Sequence, residues 1–156
     1  MEGLLTYLHT LAIGTLIGKV VCLSFVVAPV LARTLEPESF GKVVRKLFPA
    51  YYLLGMLATG MGLLSWVIIG LVTGVSPLYW AVGLTWLCLL AAEDYCLSPL
   101  TPRSNEMRDR LKEQERQGAV DAQLSAAWTR LHQRSLYLNA LVLFGGLGLL
   151  LMSLHL

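Results

Sequence analysis

One lysine stands by itself in an apolar run. Lys19 lies midway along Leu4–Leu31, while every other Lys and Arg falls in two polar gaps. A charged side chain there is costly in lipid. It deprotonates, snorkels to an interface, or faces a polar partner inside the protein. An ammonium held in the interior could line an internal polar site, or pair with an acid purely for assembly. Glu93 and Asp94, near the end of a later apolar run, are the acids that could pair with it. A second group is His132, Ser135 and Asn139, spaced i, i+3 and i+7 and therefore on one helical face. Imidazole, hydroxyl and carboxamide in a row make one wall of a polar pocket, or a hydrogen-bonding seam to another helix. Tyr51 and Tyr52 lie at similar depth and could complete a pocket. His9 sits toward the opposite membrane surface, so it and His132 cannot be the two axial ligands of one haem. Either alone could be a single axial ligand, with Lys42, Arg45 and Lys46 near the propionates. His155 is next to the last residue and reads as solvated. Cys22, Cys88 and Cys96 show no CxxC spacing and read as small packing residues. No catalytic triad, phosphate loop or metal motif is visible, and nothing in the residues points to an enzyme.

The elements that must carry these groups are membrane spans. The chain is 56% hydrophobic and 14% charged, well below the charge of a soluble domain. A hydrocarbon layer of about 30 Å needs about 20 helical residues. Four runs meet that length: 4–31, 51–72, 78–97 and 135–156. The expected fold is an all-α integral membrane protein, one domain over 1–156, built as a four-transmembrane-helix bundle. The N-terminus has no basic region of the signal-peptide kind. Arg33, Lys42, Arg45 and Lys46 lie in the first gap. Arg103, Arg108, Arg110, Lys112, Arg116, Arg130 and Arg134 lie in the third, and the middle gap around Thr73–Pro77 has none. Basic loops stay in the cytoplasm, so both termini are expected outside. The partner implied is the lipid bilayer, with no nucleic acid, and the expected location is a bacterial inner membrane. Tyr79, Trp80 and Trp66 would sit near the outer surface, where amphipathic rings settle.

Residues 40–48 carry Phe40, Val43, Val44, Leu47 and Phe48 on one side and Lys42, Arg45 and Lys46 on the other. The pattern predicts a short amphipathic helix in the inner interface, separated from the second span by Pro49. Residues 98–134 predict a cytoplasmic helical hairpin. Thr101-Pro102 would cap its first helix, Glu106–Arg110 and Asp109–Lys112 would pair along it, Gly118 would stop it, and Asp121 would cap the next. This charged hairpin is either a solvated face or a dock for a soluble partner. Helix contacts in lipid favour small residues. Gly14, Gly18 and Cys22 mark one such face. Gly55, Ala58, Thr59 and Gly62 mark a second, and Gly145, Gly146 and Gly148 a third. These faces would build the bundle, or bring copies of it together.

The segment Phe40-Gly41-Lys42-Val43-Val44-Arg45-Lys46-Leu47-Phe48-Pro49-Ala50-Tyr51-Tyr52 resembles the F-G-x-V-x-x-K-L-F-P-x-Y-[FY] segment of the transmembrane protein 205 family, which includes bacterial members catalogued as a domain of unknown function. His132, Ser135 and Asn139 resemble its final-helix H-x-x-S-x-x-x-N segment, and Leu97-Ser98-Pro99 falls at its proline-containing stretch after the third span. Lys19 has no counterpart carried over from that family. Eukaryotic members are linked to platinum-drug resistance, so the resemblance implies trafficking or export. His9, Gly18 and the segment Lys42 to Phe48 are similar, over shorter motifs, to CopD-like and HemJ-like membrane proteins, which implies copper or tetrapyrrole handling. The reading that results is a small-solute or metal-species transport or resistance component, with a cytoplasm-facing pocket lined by His132, Ser135, Asn139, Glu93, Asp94, Tyr51, Tyr52 and Lys19. The alternatives are a haem-binding redox protein and a scaffold that recruits a partner through the hairpin.

Overall fold

A computed structural model of the chain describes the backbone of residues 2–154 and the side chains of 3–154, so His155 lies outside the described residues. Helix α1 (Glu2–Val21) passes through a π-helical segment (Cys22–Val27) into α2 (Ala28–Thr34) without a break. The Ala28 N–H reaches back to the Leu23 carbonyl, the five-residue span of a π turn. Pro29, which offers no N–H, follows directly, and membrane helices absorb prolines by such local rewinding. Pro37 holds Glu36 in an extended conformation and thereby separates α2 from α3 (Pro37–Thr73).

Helix α3 overturns one expectation. Residues 40–48 are not a separate interfacial helix, because α3 runs through Pro49 into the second span. The proline ring fixes φ near the helical value and forfeits a single backbone bond, so the two predicted pieces fuse. Of their charged side, Arg45 turns to the hairpin instead. Arg45 donates to Asp109 Oδ1 at 2.5 Å and to the Asn105 carbonyl at 3.3 Å. Asp109 is therefore held by Arg45 rather than by Lys112.

Gly74, with φ of 87°, ends α3. Ser76 caps α4 (Pro77–Tyr95) by accepting from the Tyr79 N–H at 3.1 Å, with Pro77 in the first turn, where its missing N–H costs nothing. A second π segment (Cys96–Leu100) joins α4 to α5 (Thr101–Arg116). Thr101 is thus not a cap. Its backbone N–H and its Oγ1 both donate to the Cys96 carbonyl, the latter at 2.6 Å. Gly118, with φ of 75°, turns the chain, and Asp121 caps α6 (Ala122–Ser153) through the Gln123 N–H at 2.7 Å. Glu106 and Arg110 pair at 2.6 Å as their spacing predicts.

Four helices are long and apolar enough to cross a membrane: Gly3–Thr34, Pro37–Thr73, Pro77–Arg116 and Ala122–Ser153. No strand occurs among the described residues. The fold is an all-α four-helix bundle with a helical hairpin at one end. Around the bundle, α1 neighbours α3, α3 neighbours α4, α4 neighbours α6 and α6 closes on α1. Ile13, Leu16, Val82, Trp86, Leu89 and Leu149 are fully enclosed at its centre. The small residues serve unequally. Gly62 makes room for the Trp86 ring, and Gly145 for Leu89. Gly14 and Gly18, expected to pack in the bundle, are exposed and meet nothing. The inward face of α1 is the one with Ala12, Ile13, Leu16 and Val20. Tyr79 is buried and stacked on Trp66 at 4.5 Å, and Trp80 alone of the aromatic trio is exposed.

Candidate functional site

The ring order puts α1 opposite α4 and α3 opposite α6, and the polar cluster crosses both diagonals. Along the first, Lys19 Nζ lies 2.5 Å from Glu93 Oε1, with side chains 2% and 1% exposed. The ammonium also sits over the Tyr51 ring at 4.0 Å, has Tyr52 at 5.6 Å, and donates to the Tyr51 carbonyl at 3.5 Å. The cation is therefore surrounded by a carboxylate, a carbonyl and two aromatic faces, each favourable to positive charge. Among the described residues Glu93 Oε2 has no hydrogen-bond donor, and the lysine is the carboxylate's one polar partner. Along the second diagonal, Tyr51 donates its hydroxyl to Asn139 Oδ1 at 2.7 Å. Asn139 Nδ2 donates to the Ser135 carbonyl at 2.9 Å and to the Tyr52 hydroxyl at 3.3 Å, and Tyr52 and Ser135 share a hydrogen bond of 2.9 Å. Both amide hydrogens of the asparagine and one lone pair of its carbonyl oxygen are used.

Gly55 is what lets this assemble. A Cβ there would overlap the Glu93 carboxylate and the Lys19 ammonium together. Thr59, one turn on, returns its hydroxyl to the Gly55 carbonyl at 2.9 Å, so it adds no unpaired group beside the ion pair. Phe48 stacks on Tyr52 at 5.7 Å and closes the cluster on the hairpin side. Each charged residue lies one turn before a π segment, Lys19 before Cys22 and Glu93 before Cys96, where the helix is locally unwound. Cys96 is itself buried beside the pair.

A family model described as Domain of unknown function (DUF4149) matches residues 11–110, well over half of the chain. The chain belongs to the DUF4149 family. The matched stretch contains Lys19, Tyr51, Tyr52, Glu93 and both π segments, while Ser135 and Asn139 lie beyond it. The chain is also similar to an uncharacterized protein of Aquifex aeolicus (strain VF5), 36% identical over 76 residues, covering 49% of this chain and 53% of that protein. The match thus spans about half the length of that relative. No solved structure matches the chain.

Of the residues singled out in the sequence, the structure joins Lys19, Glu93, Tyr51, Tyr52, Ser135 and Asn139. It leaves two out. Asp94 is exposed on the other side of α4 and accepts from Ser98 at 3.0 Å, because adjacent helical positions point about 100° apart. His132 is exposed and stacks on Trp128 at 5.7 Å, so the face it shares with Ser135 and Asn139 has left the bundle by that level. Of the basic trio, Lys42 pairs with Glu38 at 2.8 Å, Arg45 ties down the hairpin, and Lys46 is exposed.

His9 is buried at the opposite end. Its Nδ1 lies 3.1 Å from Ser65 Oγ, and its ring meets Trp86 edge-on at 5.5 Å. It borders a cleft of about 220 Å³, below the roughly 300 Å³ at which pockets begin to enclose larger organic ligands. His9 is wedged between neighbours and His132 lies flat on an indole. Among the described residues, no three of His, Cys, Asp and Glu converge as a metal set would. Gly55 and Cys96 enter the site without having been read as part of it. The signal available for Cys96 is its i,i+3 relation to Glu93.

Proposed function

We propose that the protein is a small-solute transport or resistance component of a bacterial inner membrane, working through the Lys19–Glu93 pair. The supporting observation is the pair itself. Two ionisable groups enclosed in a membrane bundle cost more than apolar residues of the same size and are usually retained for function. Here the carboxylate keeps one oxygen free of donors, and both partners adjoin unwound turns. Such a pair can exchange its internal partner for a solute or a proton with little movement of the helices. The phenols, Ser135 and Asn139 lie on the hairpin side and would form the approach from the cytoplasm. The donor set, one carboxylate with phenols, a hydroxyl and an amide, suits a hydrogen-bonding solute better than a metal ion. The likeness to the transmembrane protein 205 family, with its link to drug resistance, is consistent with export. A second copy could pack on the unoccupied Gly14–Gly18 face.

The test is solute-evoked current from protein reconstituted in vesicles adsorbed on a sensor, across a panel of small cations, anions and zwitterions at fixed pH. At least one class should give a saturable current that vanishes in Glu93→Gln and falls at least tenfold in Asn139→Leu. Silence across the panel from folded wild-type protein, or currents that survive Glu93→Gln, would overturn the reading.

A further inference from the structure

We infer that the outer stripe of α6 is a binding site for an anionic phospholipid, with its phosphate held by Arg130 and Arg134 at the hairpin end of the bundle. The inference does not rest on the transport reading. Arg130, Arg134, Tyr137, Leu141, Phe144 and Leu151 fall within about 100° of arc on the helix. All six are exposed. Tyr137 is 73% and Phe144 69% exposed, so the stripe faces away from the helices packed against α6. This helix is also the least enclosed of the four spans. The stripe changes chemistry at the depth where a lipid does. The hydrocarbon layer takes about 20 helical residues, and counted back from Leu154 it ends at Ser135. Arg134 stands at that edge. Arg130 is one turn further out, about 6 Å by helix rise, inside a headgroup layer roughly 5–7 Å deep. Side chains on a helix lean toward its N-terminus, which on α6 is the hairpin end. The arginines therefore lean into the headgroup layer, and the Tyr137 phenol leans back toward them. Leu141, Phe144 and Leu151 then continue the stripe as apolar surface for the acyl chains.

Charge complementarity selects the occupant. Among the described residues neither guanidinium is paired with an acid. Between its Asp121 cap and Ser153, α6 has no Asp or Glu. The acids of the adjoining helices are engaged elsewhere or stand at another level. On α4, Glu93 is enclosed with Lys19, and Asp94 accepts from Ser98. On α5, Glu106 accepts from Arg110 and Asp109 from Arg45, while Glu113 and Glu115 belong to its last turn, at the hairpin tip. Two guanidiniums one turn apart offer several N–H donors to the oxygens of one phosphate. A phospholipid of net negative charge suits them better than a zwitterionic one, whose own cationic group would meet the same arginines. Basic clusters at the end of a span attract anionic lipids for this reason.

Native mass spectrometry of the full chain, released from detergent after titration with phosphatidylglycerol or with phosphatidylcholine, tests the assignment. The first phosphatidylglycerol should bind at least fivefold more tightly than the first phosphatidylcholine. The double variant Arg130→Gln with Arg134→Gln should erase that preference. Arg33→Gln with Lys46→Gln removes the same charge from exposed side chains of α2 and α3 and should keep it. No preference for phosphatidylglycerol, or a preference that survives in the α6 double variant, would overturn the assignment. An equal loss in both double variants would overturn it too, since the attraction would then be one of diffuse charge. So would a lipid-free dimer that dissociates in the α6 double variant, which would give the stripe to a second copy of the chain.

Discussion

Removing one charge from the Lys19–Glu93 pair and removing both have opposite expected consequences for stability. Lys19→Met leaves an enclosed carboxylate with no partner, which typically costs about 3–5 kcal/mol. Glu93→Met leaves an enclosed ammonium held by the Tyr51 carbonyl and two aromatic faces, which soften the loss. The double variant Lys19→Met with Glu93→Met replaces two charges by flexible apolar chains of similar size. It should recover most of the stability, to within about 2 kcal/mol of wild type. Thermal unfolding followed by circular dichroism in one detergent reads all four proteins. A double variant as unstable as the worse single one would mean that the charges, not their pairing, hold the bundle. A stable double variant that also carries solute current would mean that the pair is structural only. Counted along its span, Glu93 stands nearer the hairpin end than Lys19 does. A lysine side chain long enough to cross the diagonal closed that gap, and the aromatic pair at Tyr51–Tyr52 supplied surroundings that an isolated lysine in an apolar run does not reveal.

Glycines on different helices make the element-scale case, because sequence alone ranks them alike. Gly55 has the ion pair where its Cβ would stand, and Gly18 has open space. Gly55→Ala should therefore destabilise by about 1–3 kcal/mol through overpacking, whereas Gly18→Ala should be neutral or slightly stabilising, since alanine is the better helix former. Equal losses in the two variants would show that the Gly18 face is also in contact, as it would be against a second copy. Pro49→Ala should leave helix content unchanged, because α3 already runs through that position. A rise in helicity would reveal a break. The spans, the stop at Gly118 and the cap at Asp121 were readable from apolar run length and turn chemistry. The fusions at Pro49 and at residues 96–102 were not, because prolines that end helices in water are accommodated in long membrane helices by local unwinding. The exclusion of Asp94 and His132 was equally hidden. Face assignments by i+3 and i+4 spacing hold only while the helix stays within the bundle, and adjacent acids must diverge.

Orientation belongs to the whole molecule. The fold now puts both basic gaps at one end, since α5 and the start of α6 pack as a hairpin against the start of α3. The turn at the opposite end, Gly74 to Ser76, carries no charge. If basic residues near a span resist translocation, the whole hairpin end is cytoplasmic and the His9 cleft faces outward, with both termini on its side. The native cysteines allow a clean assay. Cys96 is buried, and Cys22 and Cys88 are exposed on spans, out of reach of a water-soluble maleimide. Val75→Cys in the charge-free turn should be labelled in intact spheroplasts. Glu113→Cys in α5 should be labelled only after the membrane is opened. The reverse pattern would invert the molecule, placing the His9 cleft on the cytoplasmic side and the phenol–asparagine approach outside. Labelling of both positions in intact cells would point to two populations of opposite orientation, as befits a protein whose topology rests on loop charge more than on a folded anchor.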